Sequence, residues 1–201
     1  SGAPMIVELV RNRKRVGITA VSHKVISNLQ KEGCAAAQEA KVSVRIVQKP
    51  NEDGDGYEHP MVEWTQKNER VLDALTNREA HIAAGTAWLW SRAEMADSVD
   101  ALFVDEAGQM SLANVLAVSQ AAGSIILLGD PQQLDQPQKG VHPPGADVSA
   151  LAHLLNGRPT ISDESGLFLS ETWRLHPDVC RFTWELFYEG RLKSRPENLN
   201  Q

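Results

Sequence analysis

The stretch ALFVDEAGQM, residues 101–110, decides the fold of this chain. Its first four residues are apolar, as in a buried strand, and they run directly into two adjacent carboxylates, Asp105 and Glu106. Burying an unpaired carboxylate costs several kcal/mol, so a pair at the end of an apolar strand needs a reason. Either the pair lies at the mouth of a strand and holds a cation, or it is an ordinary strand end that faces solvent.

Outward from this stretch, short apolar segments alternate with helical ones. The predicted strands lie at residues 15–21, 42–47, 101–104, 124–129 and 167–169, and within 81–90, where the strand leaves through Gly85-Thr86. The predicted helices cover residues 5–13, 22–32, 61–77, 111–122, 148–155 and 177–190. Short apolar strands separated by helices predict an α/β fold with a mostly parallel sheet and helices on both faces. Ligands of such sheets bind beyond the carboxyl ends of the strands, where Asp105 and Asp130 both fall.

The composition indicates an ordinary globular protein. Of 201 residues, 42% are hydrophobic and 23% are charged. No apolar run approaches the roughly 20 residues of a membrane span, and the N-terminus lacks the pattern of a signal peptide. Cys34 and Cys180 are far apart in sequence and are expected to be reduced thiols. These features predict a cytoplasmic protein without a membrane partner.

The net charge is −6, from 20 basic and 26 acidic residues. This balance counts against a simple DNA-binding module, because such modules usually carry a basic surface. It does not exclude a protein that grips a strand through a few local contacts. Residues 1–4 are either a cloning remnant or the tail of a preceding element.

Asp105 and Glu106 are the residue types that nucleotide hydrolysis requires. A carboxylate at the tip of a strand can hold Mg²⁺, directly or through its water shell. A second carboxylate one residue further on can orient and deprotonate the attacking water. The alternative is the solvent-facing strand end named above.

Two further motifs could serve the same chemistry. GDPQQL, residues 129–134, forms a proline-stiffened turn after the next strand, from which the amide of Gln133 could contact a γ-phosphate and its water. Such turns are also common without any function. ETWRLHP, residues 171–177, places Arg174 between a strand and a helix, where an arginine can neutralise transition-state charge. Its alternative is a surface salt bridge, which is usually energetically minor.

Two more motifs suit a nucleic-acid backbone. ITAVSHKVISNL, residues 18–29, leads from a strand into a helix start, whose backbone amides favour a phosphate. The alternative is a plain capped helix with His23 as a surface residue. AGTAW, residues 84–88, could present backbone amides and Thr86 in a similar way. The six histidines and two cysteines form no recognisable metal set, and no nucleophile motif is present.

Taken in order, these motifs resemble those of the superfamily 1 helicases. TAVSHKVISNL looks like motif Ia, GTAW like the neighbouring strand-contact motif, and FVDEAGQM like motif II, the Walker B motif. GDPQQL looks like motif III, and ETWRLHP is similar to the motif that opens the second RecA-like domain, with Trp173 where relatives usually have tyrosine. The pattern is most similar to the branch of the nonsense-mediated-decay helicase, in particular to bacterial proteins that fuse a RecB-like nuclease to such a helicase.

The resemblance covers residues 6–192 and implies an ATP-dependent helicase that translocates on single-stranded nucleic acid, with DNA favoured over RNA. It implies that Asp105 binds Mg²⁺ and that Glu106 is the catalytic base. Nucleotide contacts would come from Asp105, Asp130, Gln133 and Arg174, with Gln133 and Arg174 also serving catalysis at the γ-phosphate. Contacts to the single strand would come from Thr19, Ser22, His23, Lys24, Gly85 and Thr86.

One motif of the family is absent. The chain contains no GxxxxGK[ST] loop, which in these helicases lies just upstream of the helix predicted at 5–13 and cradles the β- and γ-phosphates. The chain is therefore expected to be a truncated RecA-like P-loop NTPase core. Residues 5–165 would belong to the first motor domain, without its Walker A loop, and residues 166–201 would start the second. Alone, it is expected neither to hydrolyse ATP nor to unwind duplex; its partners would be the missing helicase domains and, where the fusion is kept, a nuclease domain.

Two other functions remain open. A non-catalytic nucleic-acid-binding or scaffold module could keep the fold and have lost its phosphate loop. A GxxxxGK[ST] sequence just upstream of Ser1 would favour the motor, and its absence would favour the module. A carboxylate-based metal nuclease fits less well, because the acidic residues here form one adjacent pair rather than a spread metal cluster.

Overall fold

The structure is a computed structural model that describes residues 2–51, 54–130, 148–173, 176–178, 180, 187–195 and 197. Contacts within the chain divide it into two compact units, Ser1–Leu151 and Ala152–Gln201. The assignment of residues 5–165 and 166–201 to two motor domains stays a prediction.

The described part of the first unit contains six strands in one parallel sheet. They are β1 (Val16–Thr19), β2 (Ile46–Gln48), β3 (Val62–Trp64), β4 (Ile82–Ala84), β5 (Val99–Val104) and β6 (Ala122–Leu127). Their order across the sheet is β3-β2-β4-β1-β5-β6. Because Thr19 pairs with Val104, the carboxyl ends of β1 and β5 are direct neighbours. The predicted α/β class with a parallel sheet is confirmed.

Helices cover both faces of this sheet, as predicted. They are α1 (Ala3–Arg11), α2 (His23–Glu39), α3 (Asn68–Thr76), α4 (Ala87–Trp90) and α5 (Leu112–Ser119), followed by α6 (Ala150–Leu155). On one face α1 and α2 share a core with the central strands that includes Ile26 and Phe103. On the other face α3, α4 and α5 share a core that includes Trp90 and Leu102. Burying both faces explains why the central strands are apolar without alternation.

The single helix predicted over residues 61–77 is wrong. The segment forms the edge strand β3, which pairs with β2, and then the separate helix α3. Trp64 anchors the strand, since its Nε1 donates to the carbonyl oxygen of Tyr57 at 3.1 Å. The apolar residues of this segment have helical spacing. Val62 and Trp64, however, are two residues apart in an edge strand, and the pairing of this strand with β2 overrides the helical pattern.

The strand within residues 81–90 ends just before Gly85-Thr86, the exit that the sequence predicts. β4 ends at Ala84, and α4 begins at Ala87 and turns Trp90 back under the sheet, where it is fully buried. The Nε1 of Trp90 donates to the carbonyl oxygens of Ile18 and Gly85, each at 3.1 Å. One side chain therefore holds the carboxyl ends of β1 and β4 together.

Smaller differences concern the extent of elements. α2 continues to Glu39, because the residues after Gly33 are mostly good helix formers. In the second unit residues 167–169 form no strand; β7 (Glu171–Thr172) and β8 (Lys193–Ser194) pair instead. Most of the helix predicted over 177–190 lies outside the described residues, as does the loop at 135–147. Among the described residues, no helix combines the length and apolarity that crossing a membrane requires.

Candidate functional site

The carboxylate pair lies at the carboxyl edge of the sheet, beside the end of β1. The backbone N–H of Asp105 donates to the carbonyl oxygen of Thr19 at 2.9 Å, which extends the pairing of β1 and β5 by one residue. The carboxylate oxygen Oδ1 of Asp105 accepts from the backbone N–H of Glu106 at 3.0 Å. The Asp105 side chain is thus fixed at a strand tip and is half-buried.

Burial raises the pKa of Asp105, and the nearby carboxylates of Glu106 and Glu32 raise it further. The hydrogen bond from the Glu106 backbone opposes this shift. A half-buried carboxylate repelled by two others is an unfavourable arrangement, and a bound cation would relieve it. The electrostatics therefore fit the first alternative from the sequence, a cation at the mouth of the strand.

Glu106 adopts a left-handed backbone conformation, with φ of 52°. This conformation is uncommon for a residue with a side chain and is maintained by the surrounding turn, in which the Gln109 N–H donates to the Glu106 carbonyl at 2.8 Å. Strained positions of this kind occur often at functional sites. Here the left-handed residue is Glu106, directly after the carboxylate of Asp105 at the strand tip.

The GDPQQL motif begins beside the same turn. The Ala107 N–H donates to the Leu128 carbonyl at 2.8 Å. A Cβ atom at Gly129 would lie 2.9 Å from the backbone nitrogen of Ala107 and 3.1 Å from that of Gly108, so only glycine allows this approach. Asp130, the next residue, is half-buried at the same edge. The structure therefore brings together two strand ends that the sequence could only place separately.

Two predicted nucleotide contacts, Gln133 and Arg174, lie outside the described residues. Their roles stay predictions. Trp173, next to Arg174, is described in the second unit and is 69% exposed. The guanidinium of Arg195 stacks on its ring at 3.7 Å from the ring centroid, as in a cation–π contact.

The motif at residues 18–29 forms the strand end and helix start that it predicts. Ser22 caps α2, its hydroxyl accepting from the Val25 N–H at 3.3 Å, and Lys24 is exposed. His23 is only 8% exposed, so it is not the surface histidine that the alternative interpretation expects. Thr19 is fully buried, which places its side chain beneath the surface and away from any strand that would cross it.

The GTAW motif lies at the same edge, at the end of β4. The Gly85 N–H donates to the Ile18 carbonyl at 3.1 Å, and a Cβ at Gly85 would lie 2.6 Å from Leu89 Cδ2. Thr86 precedes α4 and is half-buried. Thr86 and the start of α2 therefore face solvent at one edge of the sheet, as contacts to a common ligand require.

Sequence reasoning missed a pocket of about 320 Å³ between these two motifs. Its lining includes the predicted residues His23 and Thr86. The lining residues without a predicted role are Lys49, Pro50, Asn51, Gln66, Trp88 and Leu89. The available signal was weak: polar residues follow β2 and β3 directly, at ends where an α/β sheet binds ligands.

The residues present fit part of a magnesium–nucleotide site. Hard carboxylate oxygens suit Mg²⁺, which keeps several waters and usually takes only one or two protein carboxylates plus substrate phosphates. Asp105 supplies such an oxygen. Within the described ranges no group of three or more histidine, cysteine, aspartate or glutamate residues could hold a metal by itself.

No protein-family model matches the chain, and no curated protein matches it.

Proposed function

We propose that this chain is the central part of an ATP-dependent helicase or translocase that moves on single-stranded nucleic acid, with DNA favoured. The observation that carries the proposal is the meeting of Asp105 and Glu106 with the Gly129–Asp130 turn at one edge of a parallel sheet. Two loops from neighbouring strands converge there, at the edge where α/β proteins bind their ligands.

In this proposal Asp105 and Glu106 have different tasks. Asp105, held at the strand tip by Thr19 and by the Glu106 N–H, would hold Mg²⁺. Magnesium, when bound, neutralises charge on the phosphates. Glu106, in the left-handed turn position directly after Asp105, would orient the attacking water and take its proton. Asp130 would contact the nucleotide from β6, and Gln133 and Arg174 would sense the γ-phosphate.

The open edge of the sheet supports a preceding phosphate-binding segment. β6 pairs with β5 on one side, and no described residue pairs with its other edge. Ile125, Ile126 and Leu127 of β6 are only half-buried, although they are as apolar as the fully buried residues of β5. A further strand beside β6 would satisfy these backbone groups and cover this apolar surface.

We infer that such a strand would connect to β1 through α1. A Cβ at Gly2 would clash with the Cδ1 atom of Leu128, so α1 begins at the carboxyl edge, beside the end of β6. The chain would run from a strand beside β6 through α1 to β1, and it runs from β1 through α2 to β2. Both connections cross the sheet in the same direction and lie on the same face. Both connections would then have one handedness, as the right-handed crossover rule requires. The loop between this strand and α1 would lie beside Asp105.

One observation favours the non-catalytic alternative. The chain contains no GxxxxGK[ST] loop, so the proposed hydrolysis depends on residues supplied by the rest of the polypeptide. A binding or scaffold module would need neither that loop nor a working Glu106.

The test is ATP hydrolysis by a polypeptide extended at both ends to complete the two lobes, compared with its Glu106→Gln variant. The variant should bind magnesium–ATP as well as the parent, because Asp105 is retained. Its turnover should fall by about 10²- to 10⁴-fold, the range for a lost general base. Turnover that is indifferent to Glu106, or absent from the parent, would favour the binding module. The 201-residue chain alone should show no turnover.

A further inference from the structure

The amino edge of the parallel sheet, opposite the candidate site, carries a compact group of arginines. Arg13 precedes β1, Arg45 precedes β2 and Arg78 precedes β4, and these three strands are neighbours in the sheet. We propose that these three residues, here called the amino-edge patch, bind a short acidic segment of a partner protein. This inference goes beyond the proposed function and does not depend on it.

The three arginines are joined through backbone carbonyl groups. The Nη2 of Arg45 donates to the carbonyl oxygen of Arg78 at 2.8 Å. The Nη1 of Arg78 donates to the carbonyl oxygen of Arg13 at 3.4 Å. All three residues are exposed. A guanidinium group has several N–H donors in a fixed fork, so each of these bonds leaves other donors for a ligand.

The positive charge of the patch is not balanced by carboxylates. Within the described ranges of the chain, Arg13, Arg45 and Arg78 take part in no ion pair. Burial and the nearby charge of Arg45 lower the pKa of His81, so this neighbouring imidazole is neutral at pH 7 and the charge comes from the arginines. In a chain with a net charge of −6, the patch is therefore a local exception that suits an anionic partner.

Helix ends account for only part of this arrangement. Arg13 and Arg78 follow α1 and α3 in left-handed backbone conformations, with φ of 59° and 56°. Basic residues at these positions interact favourably with the helix dipole. Arg45 directly precedes β2 and ends no helix. The helix dipoles therefore do not explain why its guanidinium group joins the other two arginines.

The surroundings of the patch favour a short peptide over a nucleic-acid backbone. Asp97 and Asp100 lie at the start of β5, on one side of the patch, and Glu79 directly follows Arg78 on the other. A long phosphate backbone would run past these carboxylates and be repelled, and proteins that bind it usually carry a wide basic surface. The patch spans three neighbouring strands, about 10 Å at the usual strand spacing, which three or four extended residues cover. Carboxylates suit it because guanidinium groups bind them through paired hydrogen bonds.

The test uses the 201-residue chain and fluorescein-labelled decaglutamate, with an oligothymidylate of equal charge as the comparison. Fluorescence anisotropy at low ionic strength gives both affinities. The double variant Arg45→Gln/Arg78→Gln should weaken decaglutamate binding by about 4- to 25-fold, since one exposed ion pair contributes up to about fivefold. Lys31→Gln/Lys67→Gln, which removes the same charge from two other exposed residues, should change the affinity by less than about twofold.

Arg13→Gln separates binding from folding. Arg13 contributes only its backbone carbonyl to the bonds of the patch, so this substitution leaves the bond from Arg78 in place. Decaglutamate should bind this variant about 2- to 5-fold more weakly, and the urea midpoint should not change.

The other possible partners give different results. Decaglutamate affinities that the arginine substitutions leave unchanged, or no decaglutamate binding at low ionic strength, would overturn the proposal. Tighter binding of oligothymidylate than of decaglutamate, lost in Arg45→Gln/Arg78→Gln, would assign the patch to nucleic acid instead. An oligomer in sedimentation velocity that the same double variant dissociates would assign it to a second copy of the chain.

Discussion

Gly129→Ala tests whether the two strand-end turns of the candidate site touch in solution. The new Cβ would lie 2.9 Å from the Ala107 nitrogen, 3.1 Å from the Gly108 nitrogen and 3.1 Å from Leu151 Cδ1. Two of these neighbours are backbone atoms, so they can give way only if the whole turn after Glu106 moves. That movement would also strain the 2.8 Å hydrogen bond from Ala107 to Leu128.

The magnitude follows from these contacts. Overpacking against backbone costs about 1–3 kcal/mol, and weakening one hydrogen bond adds about 1 kcal/mol. Replacing glycine by alanine returns about 0.4–1 kcal/mol through the unfolded chain. The free energy of unfolding should therefore fall by about 2 kcal/mol.

Gly33→Ala is the matched control. A Cβ at Gly33, inside α2, would have no atom within 4 Å, so the same substitution should stabilise by about 0.5–1 kcal/mol. Urea titration followed by far-ultraviolet circular dichroism measures both variants against the parent. Equal stability of Gly129→Ala and the parent would refute the packing of the two turns. If Gly33→Ala lost stability as well as Gly129→Ala, the loss at Gly129 could not be assigned to the contact between the two turns.

Two other substitutions test the electrostatics and the support of the site. Burial, together with Glu106 and Glu32, raises the pKa of Asp105. The folded chain therefore keeps the proton on the Asp105 carboxyl group to a higher pH than the unfolded chain. The free energy of unfolding should fall as the pH rises from the unfolded-state pKa of Asp105 to its folded-state pKa. Asp105→Asn should remove that fall and raise the urea midpoint at neutral pH, as measured across a pH series; a lower midpoint at neutral pH would contradict this. Trp90→Phe should cost about 1–3 kcal/mol, because the carbonyl groups of Ile18 and Gly85 lose their shared donor. The same change at exposed Trp88 should stay within about 0.5 kcal/mol, and an equal loss at both positions would count against the account.

The parallel sheet could be predicted because its central strands are short apolar runs without alternation, such as residues 101–104. The edge strand β3 could not, because Val62 and Trp64 also fit a helical period and only pairing with β2 decides between them. The helix α4 that follows the strand after residue 81 was not predicted, for a related reason. In HIAAGTAWLW every apolar residue suits a strand, and the buried hydrogen bonds of Trp90 that favour the turn into α4 are not visible in the sequence.

The parts of the site that could be predicted are single residues that directly follow an apolar strand in the sequence. Asp105 and Asp130 were identified by the rule that ligands bind at carboxyl ends of parallel strands, and the structure places both at that edge. The pocket was not predictable, since Lys49 follows β2 and Trp88 lies in α4, far apart in sequence, and neither residue is distinctive alone. Whether a side chain at a strand end is buried, as Thr19 is, depends on packing from several elements.

The most direct test of the proposed motor is the rate of ATP hydrolysis by the extended polypeptide with and without single-stranded DNA. A translocase that couples hydrolysis to strand movement should hydrolyse ATP faster when the strand is present, and duplex DNA of the same sequence should stimulate it less. The stimulation should disappear in the Glu106→Gln variant. Equal rates with and without the strand, in a polypeptide that binds it, would contradict the account.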